Sequence, residues 1–380
     1  MKLIKLFALV FIICYACSSE KKIESDLTKI NVNPSETGIA LDIANNIEKQ
    51  WEIIPLETKD ECLVNEADKI LYKNGIYYIL DRQGNSLFLF DSDGKFISKI
   101  LKKGEGPDEY SNLDAFAVDN DSIWISDASS RSLICYGPDL KMIDRASTWE
   151  RATGNDITLM NGKIYLATNW TGWNKKNSQI ASYDIKNKDV TGLWRVPPLN
   201  GDHALIRKSC QLADNGDSCL FIYSYCDTIF QIKDNKLTPA YQLSFTERYD
   251  DVPLPIEKLM DPQNKNIIRG IDYLKQTNTH IFFSYADDGL LISVIYNKKD
   301  NSCKTFPYFI NSNLGEMKTY LYTTFFDGNN MICVYEPETI KNNDLSKISD
   351  IADREKFKQV SESLKSDDNP VLIKYKLKDF

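Results

Sequence analysis

The chain has 380 residues and a formal charge of -8, with 46 Lys and Arg against 54 Asp and Glu. This acidic balance argues against nucleic acid as a partner, because nucleic-acid binding needs a basic footprint. With only two histidines, His203 and His280, far apart, a His-based metal centre or a Ser-His-Asp triad is poorly supplied, and no H-E-x-x-H or G-x-S-x-G is present.

The first elements read as an address. Lys2 and Lys5 precede an eight-residue apolar run, Leu6–Ile13, too short for a membrane span of about 20 residues and suited to the core of a secretory signal. Tyr15-Ala16-Cys17 follows, in the form of a bacterial lipobox. Residues 1–16 are therefore expected to be a cleaved signal peptide and Cys17 the lipidated residue. Removing them takes away Lys2 and Lys5 and leaves 44 basic and 54 acidic residues, a charge of -10. The rest of the chain has no second hydrophobic segment and is expected to be soluble and tethered to a membrane through Cys17, each buried acyl methylene contributing about 0.8 kcal/mol. The polar stretch 17–36 reads as a flexible tether.

From residue 37 a repeat takes over. Short runs ending in a large apolar residue recur: SLFLF to Phe90, SLICY to Tyr136, QIASY to Tyr183, TIFQI to Ile232, SVIY to Tyr296 and MICVY to Tyr335. A second strand-like segment and a polar turn precede each, most plainly GIYYILDRQGN before Ser86 and DSIWISDASSR before Ser132. Period-two alternation broken by Asp, Asn and Gly marks short antiparallel strands. A unit of about 45 residues holding four strands is a propeller blade. The six runs predict an all-β, six-bladed β-propeller over residues 37–380, the competing architecture being an irregular sandwich. The wide gap between Ile232 and Tyr296 holds TERYDDVPLPIEKLMDPQNKNIIRG, read as a rim insertion with a loop and a short helix.

Both ends bear on closure. WEIIPLE from Trp51 and VLIKYKL over 371–377 lie outside the repeat, and a terminal strand is expected to complete the last blade. Before the closing strand, residues about 344–366 are predicted helical, with Phe357, Val360 and Leu364 on one face and Pro370 at the change to strand. Seven cysteines beyond Cys17 lack metal-ligand spacing and read mostly as small core residues, with Cys219 to Cys226 or Cys210 the one disulfide entertained.

Taken together, the lipobox, IPLETKDECLV, KKGEGPDEY, CDTIFQIKDN and DNPVLIKYKL resemble the six-bladed β-propeller lipoproteins of Bacteroidota, relatives of NHL-type propellers. The likeness covers nearly all of the mature chain. Its most specific element is Gly104-x-Gly106-Pro107-x-Glu109-Tyr110, in which Asp108 stands where the family usually has a third glycine. The resemblance implies the fold and an envelope location, and no particular activity, because fold does not fix function. Surface-export signals in this group are richer in acids than Ser18-Ser19-Glu20-Lys21-Lys22, so the expected place is the outer membrane, facing the periplasm.

Candidate chemistry is sparse. A phosphate cradle needs a Gly-rich loop leading into a helix, whereas Gly104-Glu105-Gly106-Pro107 leads from one strand to another. The loop reads as a structural corner, with Gly104 and Gly106 supplying unusual φ and Pro107 stiffness. The other reading is a ligand rim, where Glu105 and Asp108 would favour a cation such as calcium. Asp81 and Asp127, at matched blade positions, read as caps on turn amides. No metal-ligand set and no cofactor are predicted. Four of the six tryptophans fall between 149 and 194, and TNWTGWNKKN sets Trp170 and Trp173 in a polar loop suited to stacking on sugars or a partner; local packing is the alternative. His203 with Arg207 is the next candidate. The leading expectation is a lipid-anchored binding or scaffolding module for a glycan, peptide or envelope protein. The alternatives are a hydrolase or lyase using carboxylates or a cation at the channel mouth, and a structural part of an outer-membrane complex.

Overall fold

A computed structural model describes residues 27–148, 154–168, 178–195, 210–216, 218–246, 249–250 and 268–378. Six antiparallel sheets form the blades. Blade 1 runs Lys69–Lys73, Ile76–Asp81, Ser86–Asp91 and Phe96–Ile100; blade 2 runs Ala115–Val118, Ile123–Asp127, Ser132–Tyr136 and Met142–Ser147. Blade 3 covers Asp156–Trp194, blade 4 Leu212–Phe245 and blade 5 Ile268–Phe306. Blade 6 combines Thr324–Asp327, Asn330–Tyr335 and Val371–Leu377 with Ile47–Pro55 from the other end of the chain. The first strand of each blade lies beside the first strand of the next, and blade 6 returns to blade 1. The ring is closed.

The apolar alternation explains why. Six hydrophobic clusters exist among the described residues, and each straddles one pair of neighbouring blades. In the second strand of blade 1, Tyr77 and Ile79 face blade 6, while Tyr78 and Leu80 face blade 2. Both faces of a blade are thus buried, which is why these strands read as unbroken apolar runs and why a blade has no core without its neighbours. The recurring runs are the third strands of blades 1 to 5. MICVY is instead the second strand of blade 6, because a helical segment intervenes before the third.

Val371–Leu377 forms as expected and lies between Asn330–Tyr335 and Ile47–Pro55, pairing Leu372 with Ile54 and Tyr375 with Trp51. A short helix, α1, spans Pro337–Lys341 ahead of the segment expected to be helical, 344–366, which holds one turn of 3-10 helix at Leu345–Lys347 and then helix α2, Ile351–Ser363. Helix α2 lies behind an Asp350 cap whose carboxylate accepts from the Asp353 N–H at 3.0 Å. Phe357, Leu364 and, partly, Val360 enter the blade 5–blade 6 core. Trp51 donates from Nε1 to Asp353 at 2.9 Å, and Lys356 lies 4.1 Å over its ring.

Two expectations are corrected. Thr28–Val32, inside the stretch expected to be a tether, is a strand added parallel to Tyr241–Phe245 on the outer edge of blade 4; Ile30 and Val32 alternate into the core and are fully buried. Among the described residues no two cysteines are joined in a disulfide. Cys210 and Cys219 are buried core groups and are not linked to each other or to Cys226. Among the described residues, no helix is long and apolar enough to cross a membrane. The insertion after blade 4 falls largely at 247–248 and 251–267, outside the described residues.

Candidate functional site at the channel mouth

Antiparallel order puts the start of each first strand and the end of each second strand on one face of the ring. The GEGPDEY connection, the loop 307–323, the helical segment 336–370 and the strands flanking 169–177 and 196–209 all meet that face. Trp170, Trp173, His203, Arg207 and Cys17 themselves lie outside the described residues.

The glycine loop turns the chain between blade 1 and blade 2. Gly104 N–H donates to Tyr110 O at 3.0 Å, and Tyr110 N–H returns to Lys102 O at 3.0 Å. The Tyr110 side chain is fully buried; its hydroxyl donates to Asn85 O at 2.8 Å, and burial pushes its pKa up to about 12. The Glu109 carboxylate folds back to accept from Gly106 N–H at 2.8 Å. Neither Gly104 nor Gly106 has a positive φ, which corrects the reason given for them. What the glycines give is room for Glu109: a Cβ on Gly104 would stand 1.9 Å from Glu109 Oε2, the end of a flexible side chain that would have to move aside. Glu105 and Asp108 are exposed. Among the described residues, no group of three His, Cys, Asp or Glu side chains is placed to hold a metal ion.

The repeated aspartates serve as latches. Asp81 accepts from Asn65 N–H at 2.8 Å and Gly84 N–H at 2.6 Å. Asp127 accepts from Ser111 at 2.7 Å, Ser129 at 3.1 Å and Ser130 at 3.0 Å. Each therefore ties a turn of its own blade to the loop that leads into the blade's first strand.

Polar side chains cross the channel and divide it. Lys69 of blade 1 reaches Asp156 of blade 3 at 3.0 Å, and Arg82 pairs with Asp68 at 3.3 Å while donating to Asp114 O at 2.6 Å. Below them, a cavity of about 130 Å³ is lined by the first strands of all six blades. Above lies a mouth cavity of about 250 Å³, whose wall includes Glu66, Arg82, Tyr273, Tyr320, Tyr322 and Glu336. Tyr320 and Tyr322 are 37% and 40% exposed and stack at 5.2 Å with an interplanar angle of 18°. Tyr273 sits 5.9 Å from Tyr322, and Tyr308 6.0 Å from Tyr320, with Lys318 4.6 Å over the Tyr308 ring.

Tyr273 has φ +52° at an irregularity in the first strand of blade 5. The left-handed region is an outlier for a bulky side chain. Its neighbour Asp272 is buried, and one carboxylate oxygen accepts from both Tyr273 N–H at 2.7 Å and Cys210 N–H at 3.0 Å. Burial pushes Asp272 up to about 8, against those two hydrogen bonds. Burial and then Asp272 also raise the Tyr273 phenol.

The tyrosines escaped the sequence reading, which weighed tryptophan. Most of the chain's twenty tyrosines sit in strand runs. The available signal was Tyr308 and the Tyr320-x-Tyr322 pair in a connection rather than in an alternating run. Trp194, by contrast, packs on Phe221, Tyr223 and Phe230 between blades 3 and 4.

Over residues 27–376 the chain matches the family described as "Domain of unknown function (DUF4934)", and it belongs to that family. No curated protein matches it. Its structure is similar to that of a "Putative exported protein (BF0058)" from Bacteroides fragilis NCTC 9343, with a TM-score of 0.70 at 17% identity over 92% of this chain and 100% of that one. It is also similar to a member of the duf4221 family from Bacteroides vulgatus ATCC 8482, with a TM-score of 0.54 at 11% identity over 88% and 99%. At these identities the likeness is one of fold.

Proposed function

We propose that this protein is an exported binding or scaffolding propeller of the cell envelope, anchored through Cys17 to the outer membrane and facing the periplasm, and that it holds a glycan, peptide or protein partner at the channel mouth. The observation that carries the site is the exposed tyrosine array beside a cavity of mixed polar and apolar lining on the loop-bearing face. Exposed aromatics in a polar rim are the usual signature of recognition. The carboxylate-enzyme alternative has less support: Asp68 is paired with Arg82, and Asp272 is buried and occupied by two backbone N–H groups. The envelope location draws on the signal-like start of the sequence, Cys17 and the exported description of the B. fragilis relative.

The test is a melting panel of oligosaccharides, peptides and envelope polymers on the chain from Ser18 onward. A ligand at 100 times its Kd stabilises the folded state by about 2.7 kcal/mol. A compound that raises the melting temperature of the wild type but not of Tyr320→Ala/Tyr322→Ala supports the reading. Equal stabilisation of both proteins would place binding elsewhere and end it. For the anchor, radiolabelled fatty acid should enter the wild type and not Cys17→Ser; equal labelling removes that part.

A further inference from the structure

We infer that the Tyr273–Tyr320–Tyr322 wall of the mouth is a subsite for a single uncharged pyranose ring of a glycan. This rests on the mouth being the binding site and adds the class of ligand. Tyr320 and Tyr322 stack on one another and stay more than one-third exposed, so the side of the pair left uncovered offers an aromatic surface to the C–H face of a sugar, and the phenols offer hydrogen bonds. The cavity of about 250 Å³ falls just below the roughly 300–1,000 Å³ of sites for drug-sized molecules. It therefore takes one ring, with the rest of a chain lying over the exposed platform.

Charge selects among ring-sized ligands. Arg82 is committed to Asp68 and to the Asp114 carbonyl, and Lys318 is set over Tyr308. Glu66 and Glu336 line the same wall. The two signs are interspersed, so the mouth offers no single-sign field to attract a strongly charged group. The Glu336 carboxylate, the Thr339 hydroxyl and the phenols match the mixed donor and acceptor pattern of sugar hydroxyls.

The Tyr273 side of the mouth is also held in place before any ligand arrives. A bulky residue at positive φ costs about 1–3 kcal/mol and persists where the surroundings enforce it. Here the enforcing group is Asp272, whose carboxyl oxygen takes the N–H of Tyr273 itself together with that of Cys210. The result sets the Tyr273 ring at 49° to Tyr322, a wall beside a floor. A rigid wall lowers the ordering cost of binding.

The test is saturation-transfer NMR on the chain from Ser18 onward with three probe sets: neutral hexasaccharides of glucose, mannose and N-acetylglucosamine; tetragalacturonate; and short peptides bearing Arg or Tyr. The expected result is transfer to the ring protons of a neutral saccharide. Its affinity should fall at least about tenfold in Tyr322→Ala, equivalent to about 1.4 kcal/mol, and stay within about twofold in Tyr322→Phe. Tyr320→Ala, also at an exposed ring, provides an independent second variant. Binding of tetragalacturonate or a peptide that is lost in Tyr322→Ala would overturn the pyranose class while leaving the mouth as the site. Saccharide binding indifferent to both variants, or no transfer from any probe set, overturns the subsite outright.

Discussion

Asn85 and Asn369 make the same pair of bonds at two seams of the ring, and the contrast shows how this propeller is held. At the blade 1–blade 2 seam, the Asn85 amide donates to Ser111 O at 3.1 Å and accepts from Leu113 N–H at 2.6 Å. At the closing seam, the Asn369 amide donates to Cys62 O and Glu57 O, both at 2.7 Å, and accepts from Val64 N–H at 2.9 Å. Each asparagine clamps a carbonyl and the N–H two residues further on. The first spans fewer than thirty residues and the second more than three hundred. A local clamp shapes a corner, whereas the distant one joins the ends of the chain. The same chemistry thus carries different weight because of the loop it closes.

Cutting the closing seam should have the largest effect. Deleting residues 366–380 removes Asn369 and the third strand of blade 6, which leaves Ile47–Pro55 without its partner and an open sheet edge. Loss of cooperative unfolding is expected, followed by circular dichroism during heating. A truncated chain melting within about 2 °C of wild type, worth less than roughly 1 kcal/mol at this size, would show that the ring does not depend on this seam. The finer version compares Asn369→Ala with Asn85→Gly, the glycine chosen because Asn85 has φ +55°. With three and two side-chain bonds lost, at about 1 kcal/mol each, urea titration should place Asn369→Ala as the more damaging.

A carboxylate comparison gives an intermediate effect that depends on pH. Asp127 spreads three N–H donors over two oxygens, but Asp272 takes both of its donors on one oxygen and is buried. Because folding raises the Asp272 pKa from 3.8 to about 8, the folded state binds this proton more tightly than the unfolded one. Its contribution to stability is complete below about pH 4 and is lost as pH rises through about 8, amounting to a few kcal/mol at most. Asp272→Asn keeps the acceptor oxygen and removes the titration. Urea midpoints at pH 5 and pH 8.5 should then differ less in the variant than in wild type; an unchanged difference would assign the pH dependence to other groups.

The smallest effects belong to the corner at the local seam. Gly104→Val must displace Glu109 from Gly106, at a cost of about 1–2 kcal/mol for one charged hydrogen bond and some crowding. Glu105→Gln and Asp108→Asn alter only exposed side chains and should shift stability by less than about 0.5 kcal/mol. Thermal melts with and without calcium check both statements. A calcium-dependent rise lost in Glu105→Gln would turn the corner into a ligand rim.

How much could be read in advance follows from the same contrast. The six strand runs, the Asp81 and Asp127 caps, the closing strand 371–377 and the packing face of Phe357 were legible, because each depends on alternation or spacing within one repeat. The φ argument for Gly104 and Gly106 failed because closeness to Glu109 is a matter of side-chain placement that spacing does not encode. The strand Thr28–Val32 was missed because two apolar residues, Ile30 and Val32, in a polar stretch give too weak a pattern. The sequence by itself determined that this chain makes paired, two-faced strands in six units, since burying both faces of a blade demands unbroken apolar runs. Only the tertiary structure decided which ends meet at Asn369 and that Tyr273, Tyr320 and Tyr322 share one wall. Ring closure brings Asn369 to Cys62 and Val64, and the fold of the connection leaving blade 5 back over the first strand of that blade, rather than any local propensity, sets Tyr320 and Tyr322 beside Tyr273.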